Sequence, residues 1–336
     1  MNQKSSKILA SLLILNSVSA YAIIDGDSLD WQDQNNLVEM YCTGTILGDK
    51  FVLTAAHCDH ENNPTNFANL SSIQAKEVID HPSYKVGVDT YHDFSLRVYE
   101  DLPKTNVINF INPRELTTGE TIELLGFGGT DQQLFKATME VVDYPADAYP
   151  TKKLTSIKGY GTDGDSGGAN LDVNGYIVAI SAAKNGSYTY SAMLHGAADW
   201  ILETVNGWHY QTSVAVNTGE TKTIKVQSLH TGTTNLLNTI YTDGDASIDT
   251  TSITCESPES GSSDSSTVNE FDICTLQVTS NGGHGFIHLT DSEKIEVNKA
   301  DPVVNPDPKP NTGGSGGSIG FFFLGLLGLT AFFKRN

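Results

Sequence analysis

Gly164-Asp165-Ser166-Gly167-Gly168 is the stretch whose reading decides the fold. Small, turn-forming residues on both sides of Ser166 describe a sharp loop that lifts one hydroxyl clear of the chain. Alone, such a run is an ordinary turn. Two upstream motifs change that reading. Leu53-Thr54-Ala55-Ala56-His57-Cys58 contributes a histidine, and His92-Asp93-Phe94-Ser95-Leu96 contributes an aspartate ahead of an apolar run. β-type segments flank them, Phe51-Val52-Leu53-Thr54 before the histidine and Ile122-Glu123-Leu124-Leu125 ahead of the serine loop. The order His57, Asp93, Ser166 is one of the known chain orders of a Ser-His-Asp triad, in which a neighbouring base activates a weakly nucleophilic hydroxyl. Asp89, four residues before Asp93, is the competing carboxylate.

Taken together, the three motifs resemble the trypsin-like serine proteases over roughly residues 23 to 206. The resemblance implies an all-β, chymotrypsin-like double β-barrel that cleaves peptide bonds through an acyl-enzyme. Ser166 is then the nucleophile, His57 the base, and Asp93 the group that holds the imidazole tautomer. The backbone N–H groups of Gly164 and Ser166 form the oxyanion hole, where losing one donor costs about 2.7–4 kcal/mol. No cofactor is implied. No metal-ligand cluster stands out, and Asp59-His60-Glu61 reads as a solvated loop.

Residues 1–22 read as a secretory signal. Lys4 and Lys7 precede a short apolar core from Ile8 to Val18, and Ala20-Tyr21-Ala22 is a small-x-small cleavage site. Cleavage after Ala22 frees Ile23-Ile24-Asp25-Gly26, which resembles the family's mature start with Asp25 as a departure. The resemblance implies that the new amino group of Ile23 pairs with Asp165, and a buried charge persists only when paired. No Arg or Lys precedes Ile23, so signal peptidase itself is expected to create the active terminus. A cut after Ala20 is the competing possibility.

Specificity departs from the family. Its selectivity residue, six before the nucleophile, is here Tyr160, and the pocket wall reads Ile180-Ser181-Ala182-Ala183. The S1 pocket residues are thus Tyr160, Ser181 and Ala183, and the expected P1 preference is not Arg or Lys. Asp163 is a candidate acidic determinant.

Four cysteines in an exported chain suggest two disulfides. The resemblance implies a Cys42–Cys58 pair, leaving Cys255 and Cys274 outside the protease region to pair with each other. The formal net charge of −20 argues against nucleic acid and anionic membranes as partners.

Gly196 to Val205 carries helical apolar spacing, closing a protease domain over 23–209. Residues 211–300 change character. Thr221-Lys222-Thr223-Ile224-Lys225-Val226, Thr275-Leu276-Gln277-Val278 and Gly285-Phe286-Ile287-His288-Leu289 alternate as strands of a small immunoglobulin-like β-sandwich. Ser257 to Thr267 reads as a loop within it. A Pro/Gly/Ser linker, 301–318, leads to an apolar tail, 319–336, ending near Lys334-Arg335.

That tail resembles the bacterial Gly-Gly C-terminal sorting signal cut by a rhomboid-type protease (rhombosortase). The resemblance implies a Gram-negative host, type II secretion as a partner pathway, and passage through the periplasm to the medium or outer cell surface. Membrane contact then runs only through the tail, with a plain transmembrane anchor as the competing reading. A catalytically inactive, adhesin-like surface protein that binds through the sandwich is the alternative from another functional class.

Overall fold

Apolar and β-branched residues suit a pleated surface, and the chain opens with three short runs of them. Strands Leu37–Met40, Cys42–Leu47 and Phe51–Thr54 pair antiparallel in succession. Tyr41, at φ 50°, makes the first reversal and Gly48, at φ 61°, the second. Ser95–Val98 then adds beside Phe51–Thr54, with Ser95 opposite Thr54. This pairing brings Asp93 alongside the turn that carries His57. The full sheet has seven strands, and its core includes Leu37, Val52, Leu53, Phe94 and Leu96, all fully buried. The computed structural model describes residues 23–58, 63–87, 91–128, 130, 132–142, 151–259 and 267–299.

A second sheet closes on itself. Thr121–Gly126, Leu134–Val142, Thr151–Lys158, Tyr188–Met193, Ile177–Asn185 and Ala169–Leu171 form a ring, because Ala169–Leu171 pairs back onto Thr121–Gly126. Alternation along Leu134–Val142 turns Ala137, Met139 and Val141 inward. The short strand Asp27–Leu29 adds to the outside of the ring. This is the all-β, chymotrypsin-like arrangement expected from the sequence, with a closed six-strand barrel. Helix Ala198–Val205 follows, and Asn206 ends it in a left-handed conformation at φ 39°.

Two further sheets pack face to face. One runs Gly207–Tyr210, Thr221–Leu229, Ile273–Thr279, Ser247–Ile248, and the other Ser213–Val214, Lys294–Val297, Gly285–His288, Tyr241–Gly244. Their inner faces share a core containing Trp208, Val226, Leu276, Ile287 and Val297. This strand partition is that of the immunoglobulin-like sandwich. Cys255–Cys274 links neighbouring strands of one sheet rather than bridging the two sheets.

The boundary expected at 209–211 falls elsewhere. Gly207–Tyr210 is already a sandwich strand, because Trp208 and Tyr210 fill that core while His209 points back at the protease. The His209 Nδ1 accepts from the Gly48 N–H at 3.1 Å, and its Nε2 meets the Asn109 carbonyl at 3.0 Å. Gln227 extends the clasp, accepting from the Ile111 N–H at 2.8 Å and donating to the Ile111 carbonyl at 2.6 Å. Burial pushes the His209 pKa down to about 4, so the ring is neutral where the two layers meet.

Residues 1–22, the linker 301–318 and the tail 319–336 lie outside the described residues, as do Asp89, Asp59-His60-Glu61 and most of the 257–267 loop. Among the described residues no helix is long and apolar enough to cross a membrane.

Candidate active site

His57 sits on a single 3₁₀ turn, Ala56–Cys58, directly after strand Phe51–Thr54. Two anchors hold that turn. Cys42 and Cys58 are disulfide-bonded, and the buried Arg97 guanidinium donates to the Cys58 carbonyl at 2.8 Å. Asp93 is 1% exposed and spends both oxygens on His57. Its Oδ1 accepts the His57 backbone N–H at 2.8 Å, and its Oδ2 lies 2.6 Å from Nδ1. The bond to Nδ1 leaves Nε2 as the basic nitrogen when the ring is neutral. His57 retains 38% side-chain exposure, so this base meets the cleft.

Ser166 comes from the closed six-strand barrel, on the loop before Ala169–Leu171. The Thr43 N–H donates to the Ser166 carbonyl at 2.9 Å, and the Thr43 hydroxyl donates to the Gly164 carbonyl at 3.0 Å. Gly167 donates to the Ser181 carbonyl at 2.7 Å, and Gly168 to the Asp165 carbonyl at 3.0 Å. Gly167 has φ 79°, and a Cβ there would run into the Thr54 hydroxyl and the Thr43 carbonyl. Only glycine lets the loop approach the first sheet this closely. Among the described residues, no acceptor takes the N–H of Gly164 or Ser166. Two unspent donors beside a hydroxyl can stabilise negative charge on a substrate oxygen.

Ser166 and His57 lie between two cavities. One, of about 280 Å³, is lined by Gly161, Thr162, Ser181, Ala183, Lys184 and Thr189. The other, of about 470 Å³, is lined by Glu39, Tyr41, Cys42, Thr130 and Gly164. Asp163 borders both. Tyr160 lines neither. It exchanges backbone hydrogen bonds with Ile24 at 3.0 and 3.1 Å and packs against the cluster around Ile23. The pocket residue inferred by counting back from Ser166 thus supports the terminal segment instead, because that pairing turns its ring toward the barrel core.

Asp165 is buried under Ile23, itself fully buried at φ 32°. The Thr162 N–H donates to Oδ2 at 2.7 Å. The backbone N–H groups of Ile23 and Gly128 face the carboxyl and favour its charged form, yet Oδ1 makes no hydrogen bond. Desolvation outweighs these and pushes the pKa up to about 7. A Cβ at Gly126 would run into Oδ1, so the space beside the carboxyl is open only because residue 126 is glycine.

Several positions that build the site were missed in the sequence: Thr43, Arg97, Gly126, Lys184 and Thr189. Lys184 had a readable signal, since it follows Ala183 directly on the same strand, Ile177–Asn185. Thr43, Arg97 and Gly126 had none, because their partners lie tens of residues away. Among the described residues, the one His/Cys/Asp/Glu group close enough to hold a metal is Cys42, Cys58 and His57, whose two sulfurs are already bonded to each other.

Residues 24–201 match the family model described as trypsin. Curated relatives include CLIP domain-containing serine protease C9 of Anopheles gambiae, 27% identical over 221 residues, 49% of this chain and 60% of that protein. Snake venom serine protease Haly-2 of Gloydius brevicauda is 43% identical over 65 residues, 17% of this chain and 25% of that one. The venom plasminogen activator of Agkistrodon piscivorus leucostoma is 25% identical over 60% of this chain and 95% of its own. The chain thus spans three fifths of the first of these proteins and a quarter of the second. Among solved structures, mouse neuropsin, a serine protease expressed in the limbic system of the brain, aligns with TM-score 0.49 and 20% identity, covering 55% of this chain and all of its own.

Proposed function

The chain belongs to the trypsin family, and we propose that it is an exported serine endopeptidase whose P1 preference is not Arg or Lys. The observation that carries this is the pair of hydrogen bonds between Asp93 and His57, made within reach of a serine loop with two unspent N–H donors. In the reaction, His57 Nε2 takes the Ser166 proton as Oγ attacks the substrate carbonyl. Asp93 stabilises the imidazolium that forms. The Gly164 and Ser166 N–H groups receive the oxyanion, and His57 then returns the proton to the leaving amine. Water, activated by the same base, releases the acyl group from Ser166.

Activation follows from Asp165. A carboxyl raised to about 7 with one oxygen unbonded is a site for a cation, and an ammonium on Ile23 supplies it. Cleavage after Ala22 by signal peptidase creates that ammonium with no separate zymogen. The carboxyl then ionises and pairs, and the loop 164–168 locks in its catalytic form. Export fits the two disulfides, and in this reading the 319–336 tail is removed by a rhomboid-type sorting protease before type II secretion from a Gram-negative periplasm.

The preference against Arg and Lys rests on the cation Lys184 in the cavity wall, where it already pairs with Asp163. Intact-mass spectrometry of the exported protein with a fluorophosphonate probe tests the proposal. One adduct, absent in Ser166→Ala, supports a working triad, and the same spectrum reads both termini. No adduct on a chain that begins at Ile23 refutes the enzyme and favours the inactive, binding-protein alternative.

A further inference from the structure

The 280 Å³ cavity beside Ser166 has Lys184 in its wall, together with Asp163 and the buried Asp165. The 470 Å³ cavity has Glu39 and Asp163 and, among the described residues, no lysine or arginine. The Lys184 ammonium lies 3.4 Å from the Thr162 hydroxyl and 3.2 Å from Asp163 Oδ1. Its side chain is 37% exposed, so it is half withdrawn from water, whereas that of Asp163 is 93% exposed. An exposed pair of this kind is worth little, since water screens it and two long side chains must be held still. Asp163 therefore gives way readily to a better acceptor.

Directly across the strand pair from Lys184 stands Thr189. It is 2% exposed, lines the same cavity, and its hydroxyl has no hydrogen-bond partner. A buried, unpaired hydroxyl costs free energy unless a ligand satisfies it. The neighbouring hydroxyl is unavailable, because Ser181 Oγ donates to Asn170 Oδ1 at 3.1 Å. Gly161 keeps Thr189 accessible: a Cβ at that position would stand 3.0 Å from the Thr189 oxygen. Of the two carboxyls in the lining, Asp163 points largely into water and Asp165 is buried under Ile23. The cavity thus presents one ammonium and one free hydroxyl donor behind small walls at Gly161 and Ala183.

We infer that Lys184 and Thr189 form an anion-accepting S1 pocket, so that the enzyme cleaves after glutamate or aspartate. The inference rests on the endopeptidase reading above. A P1 carboxylate replaces Asp163 on the Lys184 ammonium and takes the Thr189 O–H, satisfying both groups at once. A P1 Arg or Lys would meet Lys184 as a like charge. The net charge of −20 opposes an acidic substrate at long range, but that field is screened within about 8 Å at physiological salt. Contact with Lys184 acts inside that distance and decides.

The test uses exported protein beginning at Ile23, first labelled in part with a fluorophosphonate to count active serines. Unlabelled enzyme is then given peptides differing only at P1: Glu, Asp, Gln, Ala, Leu and Arg. The expected kcat/KM for Glu or Asp exceeds that for Gln by about tenfold or more, the size of one charge-assisted hydrogen bond. Lys184→Met should erase that ratio, while an unchanged melting curve and retained fluorophosphonate labelling show that the variant is folded. Lys184→Glu should move the preference toward Arg. Enzyme that takes the probe but cleaves Gln as fast as Glu, or keeps its ratio in Lys184→Met, overturns the acidic pocket alone. Protein that takes no probe overturns the endopeptidase reading, and the pocket with it.

Discussion

Asp165→Asn should stabilise the chain that still carries Ala22 and destabilise the chain that begins at Ile23. In the extended chain the Asp165 carboxyl titrates at about 7, against 3.8 when unfolded. Between those values the folded form holds a proton that the unfolded form has lost, so stability falls as pH rises through that window. By pH 8 the difference of roughly three units amounts to about 4 kcal/mol, at 1.36 kcal/mol per unit. Asparagine removes the carboxylate and with it most of that loss. In the chain beginning at Ile23 the same substitution leaves an ammonium buried without a partner, which costs about 3–5 kcal/mol. Urea midpoints of the four proteins at pH 5 and pH 8 read both effects, with Ser166→Ala in each to prevent self-cleavage. The extended chain should lose stability from pH 5 to 8 unless residue 165 is asparagine. A midpoint that moves in the same direction in both backgrounds, or an extended chain indifferent to pH, refutes the pairing of Ile23 with Asp165.

Asp93→Asn should lower kcat by about 10⁴ with KM little changed, because the amide favours the wrong imidazole tautomer; steady-state kinetics checks this. His209 is held at about 4, below its ordinary 6.5, so the folded state binds fewer protons there and stability is lost as pH falls from 6.5 toward 4. The loss is about 3 kcal/mol, and a urea titration across this range should show it reduced in His209→Gln. Tyr160→Asp should create no Arg preference, since residue 160 lies outside the cavity, and should instead lower thermal stability by loosening the Ile23 seat; a P1 peptide series and a melting curve read the two effects. Gly167→Ala should abolish fluorophosphonate labelling, because the new Cβ displaces the loop from Thr43 and Thr54.

Strands, helix and layer order were legible because they follow from local periodicity. Phe51–Thr54, Thr121–Gly126 and Thr221–Leu229 are written as β runs, and Ala198–Val205 as an apolar helix face. The same reading ended the protease domain too late. Nothing local in Gly207-Trp208-His209-Tyr210 states which of two adjacent cores Trp208 enters, and that choice is made by pairing with Thr221–Leu229.

The candidate triad was legible because chemistry restricts such residues to a few types in a few chain orders. His57, Asp93 and Ser166 could be named from motifs alone. What the sequence could not state is which side chains face the cavities beside them. Counting back from Ser166 pointed to Tyr160, yet backbone pairing with Ile24 turns that residue toward Ile23. Lys184 and Thr189 face the cavity because a hairpin places them opposite each other, and the burial of Asp165 under Ile23 depends on Gly126 in another strand. Residue identity supplies the groups that can react. Their surroundings come from contacts between the first sheet and the closed barrel, where desolvation and an unsatisfied hydroxyl set what the site can accept.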